Sequence, residues 1–238
     1  MRPTIRSLTC LLLSLAAAGA AQAQDVSVGG AVAGSNAFPF TGYDFQSPNR
    51  YQQLYTAANF SQPVFIDAIR FANSVATDAG LAGGIADGEY LIRFAVTDRP
   101  ENGLGLDFDG NVSGYSATFF SGVMMSAGLR VAGDAYFYDP SRGNLLLDVT
   151  VLSQEPVGWL GFDFSGSATD GTSRVFYGFP PPFTPPFPVL ADERGLLTTF
   201  ETRSAAVVPE PGSLLLVATG LAAAAGVGVR RRRSGRAC

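Results

Sequence analysis

The chain has 238 residues, no histidine, no lysine and two cysteines, and its 16 basic residues stand against 20 acids. Nine of those basic residues and nineteen of the acids fall within 24–208, giving this middle region a net charge near −10 that repels nucleic acid and anionic lipid. Cys10 and Cys238 lie outside it, so the region has no disulfide, and it lacks the histidine, cysteine and lysine on which common hydrolase designs and zinc, copper or haem sites depend.

Met1-Arg2-Pro3-Thr4-Ile5-Arg6 opens the chain with positive charge, an apolar run follows over 8–18, and Ala21-Gln22-Ala23 supplies small residues at the minus-three and minus-one positions. These three parts predict a signal peptide over 1–23, cut by signal peptidase between Ala23 and Gln24. Residues 24–208 are then expected to form one ectodomain of ordinary size.

Within it, apolar and polar residues alternate in steps of two, most clearly at 88–97, where Tyr90, Ile92, Phe94 and Val96 share a face opposite Glu89 and Arg93. The same pattern predicts strands at 64–73, 117–121, 135–138, 145–152, 159–164, 173–179 and 196–203. Gly, Asn, Asp and Pro punctuate the gaps, as in Asp109-Gly110-Asn111 and Arg142-Gly143-Asn144. Many short strands with no long helical period between them describe an all-β domain, a single β-sandwich or jelly roll. Phe179-Pro180-Pro181-Pro182-Phe183-Thr184-Pro185-Pro186-Phe187-Pro188 cannot donate to a ladder and is expected to link the last two strands as an extended loop.

At the far end, residues 213–229 carry no charge and are followed by Arg230, Arg231, Arg232 and Arg233. As a helix this run rises about 26 Å, enough to cross a bilayer with snorkelling arginines, and the arginine block stops translocation on the cytoplasmic side. One C-terminal transmembrane helix is therefore expected at 213–229, with a basic tail over 230–238.

Val208-Pro209-Glu210-Pro211-Gly212-Ser213, the apolar run and the arginine block, in that order, resemble the PEP-CTERM sorting signal of Gram-negative bacteria. The resemblance covers about thirty residues, 209–238 in the main, with Pro209, Glu210 and Pro211 as the sorting motif. It implies an exosortase as processing partner, a membrane enzyme associated with exopolysaccharide-producing envelopes. It further implies an ectodomain held at the periplasmic side of the inner membrane and then sorted to the cell surface or extracellular matrix. The middle is also similar to uncharacterised ectodomains that bear this tail. That similarity rests on Arg50-Tyr51-Gln52-Gln53-Leu54-Tyr55 with Phe60, on Gly88-Glu89-Tyr90, and above all on residues Phe137-Tyr138-Asp139-Pro140-Ser141-Arg142-Gly143-Asn144-Leu145 and on to Val149. Asp-Pro and Gly-Asn in the last segment set a turn, after which Leu145, Leu147 and Val149 drop into a core.

Carboxylate chemistry survives the exclusions, but nineteen acids single out no pair of the kind a glycosidase needs. Asp107, Asp109 and Asn111 are spaced like the start of a calcium loop, although Val112 and Thr118 stand where that loop needs glycine and glutamate. Tyr43, Tyr51, Tyr55, Tyr115 and Trp159 are the aromatic residues available for stacking on sugars. The reading is an exported, non-enzymatic interaction module linked to exopolysaccharide and needing no cofactor. Its rivals are a glycan-active hydrolase using a carboxylate pair and a calcium-stabilised adhesive module.

Overall fold

The computed structural model describes residues 23–30, 32–40, 49–75, 83–125, 128–155, 161–178 and 187–205. Within them the chain is all-β, and Ala23–Ala205 forms one compact unit. The strands are β1 (Ala23–Val28), β2 (Val32–Asn36), β3 (Asn49–Tyr55), β4 (Val64–Phe71), β5 (Gly88–Thr97), β6 (Ser116–Met124), β7 (Arg130–Tyr138), β8 (Asn144–Gln154), β9 (Phe162–Phe164), β10 (Thr172–Tyr177), β11 (Val189–Asp192) and β12 (Thr198–Ser204). They form a four-stranded sheet in the order β1-β12-β4-β7, a six-stranded sheet in the order β11-β10-β3-β8-β5-β6, and the pair β2-β9. All the pairings between these strands are antiparallel.

One apolar cluster draws on both large sheets. Tyr51, Tyr55, Tyr90, Ile92 and Phe94 enter it from the six-stranded sheet, and Ile66, Ile69, Phe71, Tyr136 and Phe200 from the four-stranded one. The rings meet edge to face or tilted: Tyr55 lies 4.8 Å from Phe200 at 83°, and Phe94 lies 5.4 Å from Tyr136. Such geometries set the positive ring edge against a negative face, and burying each side chain of this size contributes roughly 1.5–3 kcal/mol. Without disulfides, this aromatic core carries the stability of the domain.

The period-two pattern locates β4 to β8, β10 and β12 to within a few residues. It misses β3, because β3 is paired on both sides by β8 and β10 and is buried on both faces, so its sequence does not alternate. Gln52 and Gln53 are fully buried there and made acceptable by hydrogen bonds. The Gln53 Nε2 group donates to Leu196 O at 2.9 Å, while Leu196 N–H and Tyr51 Oη donate to Gln53 Oε1. β1, β2 and β11 are likewise additions to the expected set.

The proline-rich stretch does not link the last two strands, as its sequence suggested. β11 intervenes, so the stretch joins β10 to β11, a hairpin pair closed by Gly178 N–H donating to Pro188 O at 2.9 Å. Phe187 is buried, and residues 179–186 lie outside the described residues.

Two solvent-side faces remain. That of the six-stranded sheet is covered by the loop between β5 and β6, whose Leu104 and Phe108 pack on Leu54, Ala95, Leu146 and Val175. Over that of the four-stranded sheet no such loop packs among the described residues, and there β12, β4 and β7 align Arg203, Phe65 and Phe137 directly opposite one another in a row across three strands.

Candidate functional site: an aromatic groove beside the 139–144 turn

Beside Phe137, at the end of that row, is a groove of about 330 Å³ lined by Val96, Tyr115, Phe137, Asp139 and Arg142. Tyr115 and Phe137 are among the most exposed large apolar side chains described, at 61% and 43%. Both are held in place. The Tyr115 ring stacks on Tyr136 with centroids 5.7 Å apart and planes at 17°, and its carbonyl accepts from Val96 N–H and Tyr136 Oη. Phe137 packs on Phe65 across the strand pair at 5.3 Å, and the Arg203 guanidinium covers Phe65 at 4.2 Å.

The turn that carries Asp139 and Arg142 is equally fixed. Asp139 Oδ1 accepts from Ser141 N–H at 3.0 Å and from Ser141 Oγ at 2.7 Å, starting a single helical turn over Pro140–Arg142 whose first position suits proline. Gly143 then takes φ 135°, and a Cβ there would stand 2.7 Å from the Thr97 carbonyl, so only glycine fits. Tyr138 Oη donates to Gly143 O, and Asn144 donates to Arg99 O while accepting from Ala57 N–H. The hydrogen bonds from Ser141 hold the Asp139 carboxyl below its ordinary pKa, so it stays ionised near neutrality. Arg142 approaches Asp139 only through Nε at 3.7 Å, with 71% of its side chain in solvent.

Thus the groove combines two rigid aromatic faces with a fixed carboxylate and an accessible guanidinium. Rings of this kind stack on the apolar faces of sugars, and the polar pair reads hydroxyl or acid groups at the edge. A slightly larger cavity of about 350 Å³ near β10 and β11 is less suited to a ligand, because its central polar groups are committed to one another. Arg174 donates twice to Asp192 and once to Asn36 there, and stacks on Phe176.

Three of the five aromatic residues anticipated for stacking are among the described residues, and of these Tyr115 is at the surface. Tyr51 and Tyr55 are core residues, and Tyr43 and Trp159 lie outside the described residues. Phe137 and Arg142 were not anticipated as site residues. They stand in the segment most similar to tail-bearing ectodomains, whose turn chemistry explained that segment without reference to what its side chains present outward.

The calcium-loop candidates are engaged separately. Asp107 Oδ1 accepts from Asp109 N–H, Asp109 Oδ1 from Arg50, and the buried Asn111 Oδ1 from Gly105 N–H. Among the described residues no three His, Cys, Asp or Glu side chains gather as a metal site. Ala23 is the first residue of β1, opposite Arg203, whereas Ala21, the sorting motif Pro209, Glu210 and Pro211, and Arg230 to Arg233 lie outside the described residues. Among those described, no helix is long and apolar enough to cross a membrane, and 213–229 is not among them.

The class defined by these features is an all-β domain with an open aromatic groove, followed by a C-terminal sorting segment. Residues 207–233 match the PEP-CTERM protein-sorting motif, so the chain is an exported protein directed to an exosortase. No curated protein and no solved structure matches it.

Proposed function

We propose that the described domain is a β-sandwich ectodomain that binds polysaccharide of the envelope or extracellular matrix through the Tyr115–Phe137 groove, without chemical turnover. The observation that carries this reading is the pair of exposed aromatic side chains, each packed against another ring, at the rim of a groove that also holds Asp139 and Arg142. Exposed aromatic groups lose little conformational freedom on binding when already fixed, which favours ligand capture. The groove offers one carboxylate, held ionised, rather than a pair with one member kept protonated, and this arrangement supports binding over glycosidic cleavage. The sorting segment completes the reading. The 213–229 helix and Arg230 to Arg233 stop the chain in the inner membrane, and the exosortase acts at Pro209-Glu210-Pro211 to deliver the domain to the surface.

The test is to incubate the exported protein with a panel of bacterial polysaccharides, scoring retention and chain length together. Retention without shortening, weakened roughly tenfold by Tyr115→Ala or Phe137→Ala, is expected. Shortened chains would replace the binding reading with hydrolysis, and retention untouched by both substitutions would place the ligand elsewhere.

A further inference from the structure

We infer that the groove selects acidic polysaccharides, with Arg142 reading a sugar carboxylate; this rests on the glycan-binding reading above. The contrast among the arginines carries the inference. Arg50 and Arg174 are largely buried and each donates two hydrogen bonds to one carboxylate, so their forks are filled. Arg142, in the groove, makes no such bidentate pair: its one close acid is 3.7 Å from Nε, and that acid has Oδ1 turned to Ser141. The side chain of Asp139 is 23% exposed against 71% for Arg142, so the charge the groove presents to a ligand is the guanidinium. A planar fork of donors matches a carboxylate in a way that a neutral hydroxyl does not.

The row beyond the groove extends the same chemistry. Arg203, Phe65 and Phe137 lie opposite one another on three adjacent strands, with Arg203 stacked on the Phe65 ring. Its partner Asp67 is half exposed, at 3.1 Å, in an ion pair that water and salt screen. A polymer lying along this row meets guanidinium groups on either side of an aromatic strip. Because the 24–208 region carries a net charge near −10, diffuse attraction does not draw it to an acidic polymer, and any retention reports a local site.

The experiment measures retention of the exported protein by a polyuronate and by dextran, as charged and neutral probes, with melting curves to establish that each variant is folded. The polyuronate is expected to bind more tightly than dextran. Arg142→Ala should weaken polyuronate binding at least tenfold and dextran binding far less, and Arg142→Lys should rescue little, since an ammonium lacks the fork. Tyr115→Ala should weaken whatever binding either probe shows. Equal binding of both probes, or polyuronate binding insensitive to Arg142→Ala, overturns the acidic selectivity while a Tyr115→Ala defect still upholds the groove. Binding of neither probe overturns the selectivity as well, and binding indifferent to Tyr115→Ala overturns the groove reading itself.

Discussion

The two solvent-side sheet faces treat their polar groups in opposite ways. On the six-stranded sheet a loop has closed over the face, and charged and amide groups beneath it pair within the chain: Asp148 accepts two hydrogen bonds from Arg50 and one from Arg93, and Asn111 donates to Gln52. On the four-stranded sheet no such loop packs over the face among the described residues. Arg70 and Arg130 share Glu201 in solvent, Arg203 meets Asp67 in solvent, and the aromatic row ends in an open groove. The same residue types therefore serve to fasten a loop on one face and to present a surface on the other. Burial decides which, because a desolvated charge must be satisfied internally whereas an exposed one is free to meet a ligand.

Substitutions should separate the faces by their energetic scale. The largest effect is expected at Asp148, whose side chain is 3% exposed: Asp148→Ala strips two arginines of their shared acid and should cost about 3 kcal/mol in chemical denaturation. A cost below about 1 kcal/mol would mean that the loop face is not held as described. Next comes Asn111→Ala, which leaves the buried Gln52 Oε1 and the Gly105 backbone without their amide partner, at about 2 kcal/mol and with groove binding unchanged. On the open face, Arg70→Ala should change stability by no more than about 1 kcal/mol, since its ion pair with Glu201 is solvent-exposed. Finding Arg70→Ala as damaging as Asp148→Ala would erase the distinction.

Titration sharpens the comparison from another side. Desolvation raises the pKa of Tyr51, Tyr55, Tyr90, Tyr136 and Tyr138 above the ordinary value of 10.0, so the fold keeps these phenols protonated while the unfolded chain ionises near pH 10. Stability is thus complete below that pH and lost as pH rises above it. Asp109 and Glu201 behave conversely, held below their ordinary values by Arg50 and Arg130. Their contribution is present above about pH 4.5 and lost as pH falls, and it should be small because Asp109 is exposed and the arginines paired with Glu201 are half exposed. Melting temperature followed from pH 3 to 12 should show the steeper decline on the alkaline side.

How much of this was legible in the sequence follows from the same physics. Strands with one wet face, such as β5, show their alternation plainly, and the turn from Asp139 to Asn144 was readable from its residue types. The central β3 was hidden because Gln52 and Gln53, polar in sequence, are core residues once hydrogen-bonded. The groove was hidden for a related reason. Tyr115 and Tyr51 look alike in a sequence, and only the register that sets Phe137 opposite Phe65 and the stacking of Tyr115 on Tyr136 show which aromatic side chains face water.

The most direct test of the central claim is hydrogen exchange of the exported protein with and without exopolysaccharide from an exosortase-bearing bacterium. New protection is expected at 113–118 and 136–143, the segments that carry Tyr115, Phe137, Asp139 and Arg142, with residues 98–112 on the closed face unchanged. Protection confined to 98–112, or to the β10–β11 cavity, would contradict the account.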